Sequence, residues 1–382
     1  MALALLVLLT GLPSWSQTQG SQSNTQQQKP QEQPAEAGGP QGDVGPIVVP
    51  KKKTEEEPPP PPPRQVPKNP EGMPDFSLSV NVQNVLVPVM VTTKDGGFVP
   101  GLKKENFKIY EDGVPQTITD FKVAEAPITA VLLVEFASTN YWFMYDALNA
   151  SYAFANSLKP DDYVAVIAYD MRPTIITDFT KDKREVYGAL NQLRIPGFSE
   201  TNLFDALYDT LDRVSRIEGR KYIILISTGI DTFSKINLDK VFKKIQATPD
   251  VGIFAISTGE ALRMALEARY GTSSRYGEMN LNFLQGDNQM NTFAKMSGGR
   301  WYKPRFEGEL PEIFQDVAAQ IRNQYLITYK PTNSKQDGTY RKLKVELQGP
   351  EGGPLTVKNQ KGKVLKTQVI AREGYTAKHE VE

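Results

Sequence analysis

The sequence predicts an α/β fold, a mostly parallel, doubly wound sheet with antiparallel β segments on both flanks and a disordered arm in front. Three observations carry this expectation. First, four short and nearly continuous apolar runs recur in mid-chain: "ITAVLLVEF" from Ile128, "YVAVIAYD" from Tyr163, "KYIILIST" from Lys221 and "VGIFAIST" from Val251. Strands buried on both faces read this way. Second, helical stripes separate them. Leu203, Ala206, Leu207, Thr210, Leu211 and Val214 lie on one helix face, and Leu310, Ile313, Phe314, Val317 and Ile321 form a second stripe. Strands alternating with helices imply βαβ crossovers. Third, both flanks alternate with period two, the mark of half-buried antiparallel strands.

In chain order, "MALALLVLLTGLPSWS" carries an apolar run from Ala2 to Leu12. It is too short to span a bilayer, which takes about 20 residues. The pattern fits a signal peptide over residues 1–16, cleaved after Ser16. No Lys or Arg precedes the run, so retention as a weak membrane tether is the alternative. Residues 17–75 read as a disordered Pro/Gln-rich linker: Gln17 to Pro74 holds 14 of the 28 prolines and no aromatic residue. Such a stretch buries too little apolar surface to offset its ordering entropy. Six consecutive prolines, Pro58 to Pro63, suggest a polyproline II rod, serving as a spacer or as a ligand for a proline-reading module.

Residues 76–126 are expected to form a β segment. Leu78, Val80 and Val82 alternate, then Val85, Val87, Val89 and Val91, and the change of parity suggests a bulge near Gln83. A turn at Lys94 to Gly97, a strand in "FKIYEDG" and another in "TITDFKV" continue it. The α/β unit is assigned to 127–323. A second β segment, 324–376, contains Tyr325, Ile327 and Tyr329, then Leu343, Val345 and Leu347 opposite Lys342, Lys344 and Glu346, then one strand in "LKTQVIAREGY". Residues 377–382 are a tail. The segment 261–289, with "RYGTSSRYGEMNLNF", exceeds what a βα connection needs and reads as a recognition loop or a poorly ordered insertion.

Composition removes many chemistries. With 44 Lys+Arg against 44 Asp+Glu, nucleic acid is not an expected partner. No cysteine and one histidine, His379, leave no disulfide framework, zinc ribbon, cysteine nucleophile or Ser-His-Asp triad. No GxGxxG, GxxxxGK[ST] or GxSxG occurs. Asp205, Asp209 and Asp212 read as a solvated helix face or a complement to a helix N-terminus. The Asn149-Ala150-Ser151 sequon falls in an apolar helical stretch and is discounted.

In doubly wound sheets ligands bind at the carboxyl ends of the strands. Those ends carry "EFAST" (Glu135 to Thr139), "GFSETNLFDAL" (Gly197 to Leu207) and "STGIDT" (Ser227 to Thr232). Here the chain resembles the von Willebrand factor type A domain, whose metal-ion-dependent adhesion site is Asp-x-Ser-x-Ser, a loop threonine and a later aspartate. With the flanks "KKENFKIYEDGVPQTI" and "NQYLITYKPTNSKQDGTYRKLKVEL", residues 76–376 resemble the von Willebrand factor A-related family described from acidobacteria. The resemblance implies a Rossmann-like A domain inserted in a small antiparallel β-sandwich built from both flanks, in agreement with the alternation read independently. It also implies a Mg²⁺ site, and this sequence departs from it. The first aspartate is Glu135, the first serine Ala137, the second Thr139 after Ser138, the loop threonine Thr201, and the last aspartate Thr228.

Mg²⁺ needs six oxygens in near-octahedral array. Two readings follow. In one, Glu135, Thr139 and Thr201, helped by Asp231 or Glu200, hold a weak Mg²⁺ and capture a partner's carboxylate. In the other, the site is degenerate, these groups cap helices and satisfy backbone donors, and binding needs no metal. The expectation is the second: a non-enzymatic, exported module, periplasmic, cell-envelope or secreted, that binds an unnamed protein partner with no cofactor. A remote alternative uses Glu135 and Asp231 as the carboxylate pair of a glycan hydrolase.

Overall fold

The computed structural model describes residues 84–94, 96–124, 127–138, 141–193, 196–270, 277–349, 352–358 and 361–377. The expected signal peptide, linker, strand 78–82 and bulge near Gln83 lie outside these residues, as does most of the tail.

The first flank comprises β1 (Val85–Thr93), β2 (Phe107–Glu111), β3 (Val114–Gln116) and β4 (Ile118–Val123). Val87, Val89 and Val91 are buried, so the odd-numbered face of β1 meets the core as its alternation requires. At the β1 turn, Gly96 takes a positive φ of 90° while its amide donates 3.0 Å to the Thr93 carbonyl, a conformation glycine adopts freely.

The α/β unit follows with β5 (Ile128–Glu135), α1 (Tyr141–Ser157), β6 (Tyr163–Tyr169), β7 (Pro173–Thr180), α2 (Lys183–Gln192), α3 (Leu203–Ser215), β8 (Arg220–Ser227), α4 (Leu238–Ala247), β9 (Val251–Ser257), α5 (Gly259–Tyr270), α6 (Gly277–Ser297), β10 (Trp301–Tyr302) and α7 (Leu310–Arg322). Its six strands are ordered β10-β9-β8-β5-β6-β7, parallel except for the β6–β7 pair. Every residue of β5 and β8 is buried. Leu132, Val134, Ile224 and Ile226 pack with Phe314 and Val317 of α7, and Val131, Leu133, Ile223 and Leu225 pack with Leu207 and Leu211 of α3 and Phe293 of α6. Alternate side chains thus fill two cores, one on each face. The expected α3 stripe is buried residue for residue.

The second flank comprises β11 (Tyr325–Tyr329), β12 (Tyr340–Leu347), β13 (Val357–Lys358), β14 (Val364–Leu365), β15 (Thr367–Ile370) and β16 (Gly374–Thr376). The flanks interleave into two four-stranded sheets, β15-β1-β11-β4 and β16-β12-β2-β3. Val87, Val89, Ile109, Ile327, Tyr329 and Leu343 form the core between them, and the Tyr325 ring lies 5.2 to 5.6 Å from those of Phe98, Phe107 and Phe121. The chain enters and leaves the α/β unit side by side: Tyr325 opposes Val123 and the Ala124 amide donates 2.8 Å to the Gln324 carbonyl.

Two expectations are corrected. The single strand expected in "LKTQVIAREGY" is three short ones, with β15 pairing with β1 and β16 with β12. The chain changes sheet at Arg372, which is buried beneath Gly298, where an added Cβ would stand 2.6 Å from the Arg372 amide nitrogen; burial lowers that guanidinium to about 10. Likewise 261–289 is not a loop in its described part but lies in α5 and α6. Its glycines and polar residues masked a helical pattern whose apolar members Ala261, Leu262 and Phe283 are buried.

Inside the sandwich, Glu111 and Arg341 form a buried ion pair at 3.2 Å, with the Tyr329 and Tyr375 hydroxyls also donating to the carboxylate. Removing one member of such a pair leaves an uncompensated buried charge. Arg341→Met is expected to lower unfolding stability by about 3 kcal/mol and Arg341→Met with Glu111→Leu by clearly less, both read from urea transitions.

Candidate functional site

Strand order reverses between β5 and β8, and in doubly wound sheets the carboxyl ends at such a switch point are where ligands bind. Glu135, the last residue of β5, is 1% exposed. Its carboxylate turns across to β8, accepting from Ser227 Oγ at 2.7 Å, from the Thr228 amide at 2.8 Å and from Thr228 Oγ1 at 2.9 to 3.0 Å. Ser227 Oγ in turn accepts from the Tyr169 hydroxyl at 2.7 Å and the Gly229 amide at 2.9 Å. Burial pushes the Glu135 carboxyl above its ordinary value, against the donors of Ser227 and Thr228, which favour the charged form. Burial, then the charge of Glu135, raises Tyr169 well above its usual range, so its hydroxyl stays a donor.

The neighbouring loops are tied to one another. Thr201 is buried and its Oγ1 donates 2.6 Å to the Ile230 carbonyl; the Thr201 carbonyl accepts from the Thr232 and Phe233 amides at 2.9 and 2.8 Å. Asp231 Oδ1 accepts from the Phe204 amide in the first turn of α3 at 3.1 Å and from Ser234 Oγ. It thus performs from outside the helix the work of an N-cap, and burial raises its carboxyl above the ordinary value. Asp205 accepts from the Lys235 and Ile236 amides, and Asp212 pairs with Arg216 and Lys244. Ala137 is fully buried, Ser138 is exposed, and the Ser138 amide donates 2.8 Å to the Phe198 carbonyl. Thr139 lies outside the described residues.

The structure therefore brings Glu135 and Thr228 into contact and gathers Thr201 with Asp231 in the adjoining loop pair. Sequence reasoning missed Tyr169 and Ser227, which complete the Glu135 network; the only signal was their position as last residues of apolar strands. It also missed Asp287 on α6, buried and held by Ser257 and by Lys303 at 2.7 Å. Among the described residues no three His, Cys, Asp or Glu side chains are grouped so as to hold a metal ion.

Residues 139–292 match the family model described as "von Willebrand factor type A domain". Among solved structures, the chain is similar to the vWF domain of the type V pili tip protein Mfa5 from Porphyromonas gingivalis, at 11% identity and TM-score 0.40 over 52% of this chain and 96% of that one. It is similar to a von Willebrand factor type A protein from Catenulispora acidiphila, at 12% identity and TM-score 0.40 over 72% and 75%. A third is the PilB minor pilin from Streptococcus sanguinis, at 11% identity and TM-score 0.40 over 52% and 62%. No curated protein matches the sequence.

Because Glu135 has a raised pKa, the folded state holds its proton at pH values where the unfolded chain has lost it. Stability falls as pH rises from the ordinary value of 4.5 through the folded one. Asp231 acts in the same direction. Glu135→Gln is therefore expected to flatten the decline of Tm above pH 4.5, as read by calorimetric scans over pH 4 to 8 of both proteins.

Proposed function

We propose that the chain is a non-enzymatic, exported binding or scaffold module whose strand-end face holds a protein partner without a metal ion. The observation that carries this is the commitment of Glu135. A carboxylate that already accepts from Ser227 and twice from Thr228 has little left for a cation, and charge-assisted bonds to buried donors are costly to give up. The other groups lean the same way. Ala137 has no side-chain oxygen, Asp231 is engaged by α3, and Thr228 carries no charge where the adhesion motif has aspartate. That donor set does not fit near-octahedral Mg²⁺, which needs several well-placed oxygens and charge to balance it.

Glu135 and Asp231, the pair a glycan hydrolase would use, are each turned onto backbone and hydroxyl donors, with no described histidine nearby. Export rests on the apolar run from Ala2 to Leu12 and the arm that follows it. Among the described residues no helix is long and apolar enough to cross a membrane.

The test is thermal unfolding of the full chain in EDTA and then in millimolar Mg²⁺, Mn²⁺ or Ca²⁺. No shift is expected for the natural sequence, whereas Glu135→Asp with Ala137→Ser and Thr228→Asp is expected to gain several degrees with Mg²⁺. A rise in the natural protein that Glu135→Ala removes would overturn the metal-free reading.

A further inference from the structure

The strand-end face carries carboxyl groups that have no ionic partner among the described residues. Four carboxyl groups stand on the loops around the crevice: Asp170 after β6, Glu200 and Asp205 on either side of the start of α3, and Asp231 after β8. Glu135 is a fifth, buried below them. None forms an ion pair among the described residues. Their hydrogen bonds come from backbone amides and hydroxyls: Arg172 N to Asp170 at 3.2 Å, Ser199 N to Glu200 at 3.2 Å, Lys235 N to Asp205 at 3.0 Å and Phe204 N to Asp231 at 3.1 Å. The basic side chains described on these loops are Arg172 and Lys235, both exposed and neither in a described ion pair.

A second, independent observation lies in the middle of the cluster. Asn202 follows Thr201 at the N-cap of α3 and is held by its amide to the Asp170 carbonyl at 2.8 Å. An asparagine there ordinarily turns its side-chain oxygen onto the first amides of its own helix. Here it makes no such bond, because Asp231 and Ser234 have taken the amides of Phe204 and Asp205. Asn202 is 3% exposed, and its Oδ1 has no hydrogen-bond partner. A buried acceptor left without a donor calls for a ligand or water to explain it.

The third observation is aromatic. Phe198 and Phe233, on the loops on either side of Thr201, are 52% and 48% exposed, although their backbones are fixed by the bonds to Ser138 and Thr201. Exposed rings on the same loops as carboxylates without described ionic partners suit one kind of group, a cation with several N–H donors, which stacks on ring faces and donates to acids.

We infer that this face binds a basic segment of its partner, presenting arginine or lysine side chains to Asp170, Glu200, Asn202 and the rings of Phe198 and Phe233. The inference rests on the reading of the strand-end face as the binding face and adds the chemistry of what it takes: a cationic side chain where a metal-bearing site takes a carboxylate. Long-range attraction from the acids also steers such a partner, so association weakens as salt rises.

The probes are hexa-arginine and hexa-glutamate peptides added at low salt to the full chain, with binding read by fluorescence anisotropy and by amide chemical-shift mapping. Hexa-arginine is expected to bind at least tenfold more tightly than hexa-glutamate and to shift the amides of Ser138, Gly197 and Thr232. Asp170→Asn with Glu200→Gln is expected to weaken it at least fivefold, and Phe198→Ser about threefold. Asp161→Asn with Glu218→Gln, which removes equal charge near the amino ends of the strands, should leave it unchanged. Equal weakening by the two double variants, or an unchanged affinity in the first, overturns the inference. Should hexa-glutamate be the peptide that shifts these amides, the face binds as proposed but with the opposite preference. If neither peptide shifts them, the strand-end reading itself falls.

Discussion

The carboxyl group of Glu135 is the interaction on which the rest of the crevice depends. It leaves the end of β5 and is received by consecutive residues at the end of β8, so it closes the gap at the one place in the sheet where strand order reverses. Without it, Ser227 Oγ, the Thr228 amide and Thr228 Oγ1 would be buried donors with no acceptor, each costing about 1–3 kcal/mol. An isolated charge at this depth would be prohibitive, and three donors make it tolerable. In the adhesion motif that the sequence resembles, the first and last carboxylates are brought together by a cation between them. On the proposed reading, the extra methylene of glutamate and the loss of the later carboxylate replace that bridge with direct hydrogen bonds.

The geometry of everything above the sheet follows from this closure. Because Thr228 is fixed, Gly229 is fixed with a positive φ of 78°, and α6 crosses directly over it. An added Cβ at Gly229 would meet the Gly286 backbone at 2.6 Å, and one at Gly286 would meet the Thr228 carbonyl at 2.8 Å. Two glycines therefore let a helix backbone rest on a loop backbone. From the same loop, Asp231 reaches α3 and Ile230 reaches Thr201, so the start of α3 is registered against β8 and not merely against its own turn. The face is assembled from backbone and small side chains, which explains how its large side chains, Phe198 and Phe233, can remain outside.

Much of this fold was legible in the sequence because burial wrote it there. β5, β6, β8 and β9 were visible as apolar runs because both faces of a parallel sheet are covered, and the stripe of α3 because only one face of that helix meets the sheet. β7 was not visible. As an edge strand its residues are half exposed, so neither a run nor a clean alternation marks it. The division of the last β stretch at Arg372 was equally hidden, since the cause is a close approach by Gly298 from 74 positions earlier in the chain. At the site, residue types could be read against the resembling motif, but their commitments could not. That Thr201 donates to Ile230, or that Asp231 caps a helix to which it does not belong, depends on loops meeting in space. The unpaired oxygen of Asn202 is legible only as a failure of the local rule that would have it cap its own helix.

The helices beside the crevice restrict how a partner can reach it. Met290, Phe293 and Ala294 of α6 pack on the sheet, while Gly286, one turn earlier, already lies at the level of the strand ends against Gly229. The part of α6 before Gly286 must then extend beyond the sheet edge, by about 13 Å over nine residues at 1.5 Å each. α5 starts at the same level, with Gly259 against Phe283 and the Thr228 carbonyl, and Glu260 is tied through Lys303 to the buried Asp287. The β9 side of the crevice is thus walled by two helices on which Glu260, Arg263, Glu267 and Asp287 are already paired. Away from that wall, on the loops after β6, before α3 and after β8, are Asp170, Glu200 and Asp231, which have no ionic partner among the described residues, and the exposed rings of Phe198 and Phe233. On the proposed reading, a partner seated on this face meets that wall on one side and carboxylates without an ionic partner on the other, so charge complementarity is concentrated away from α5 and α6.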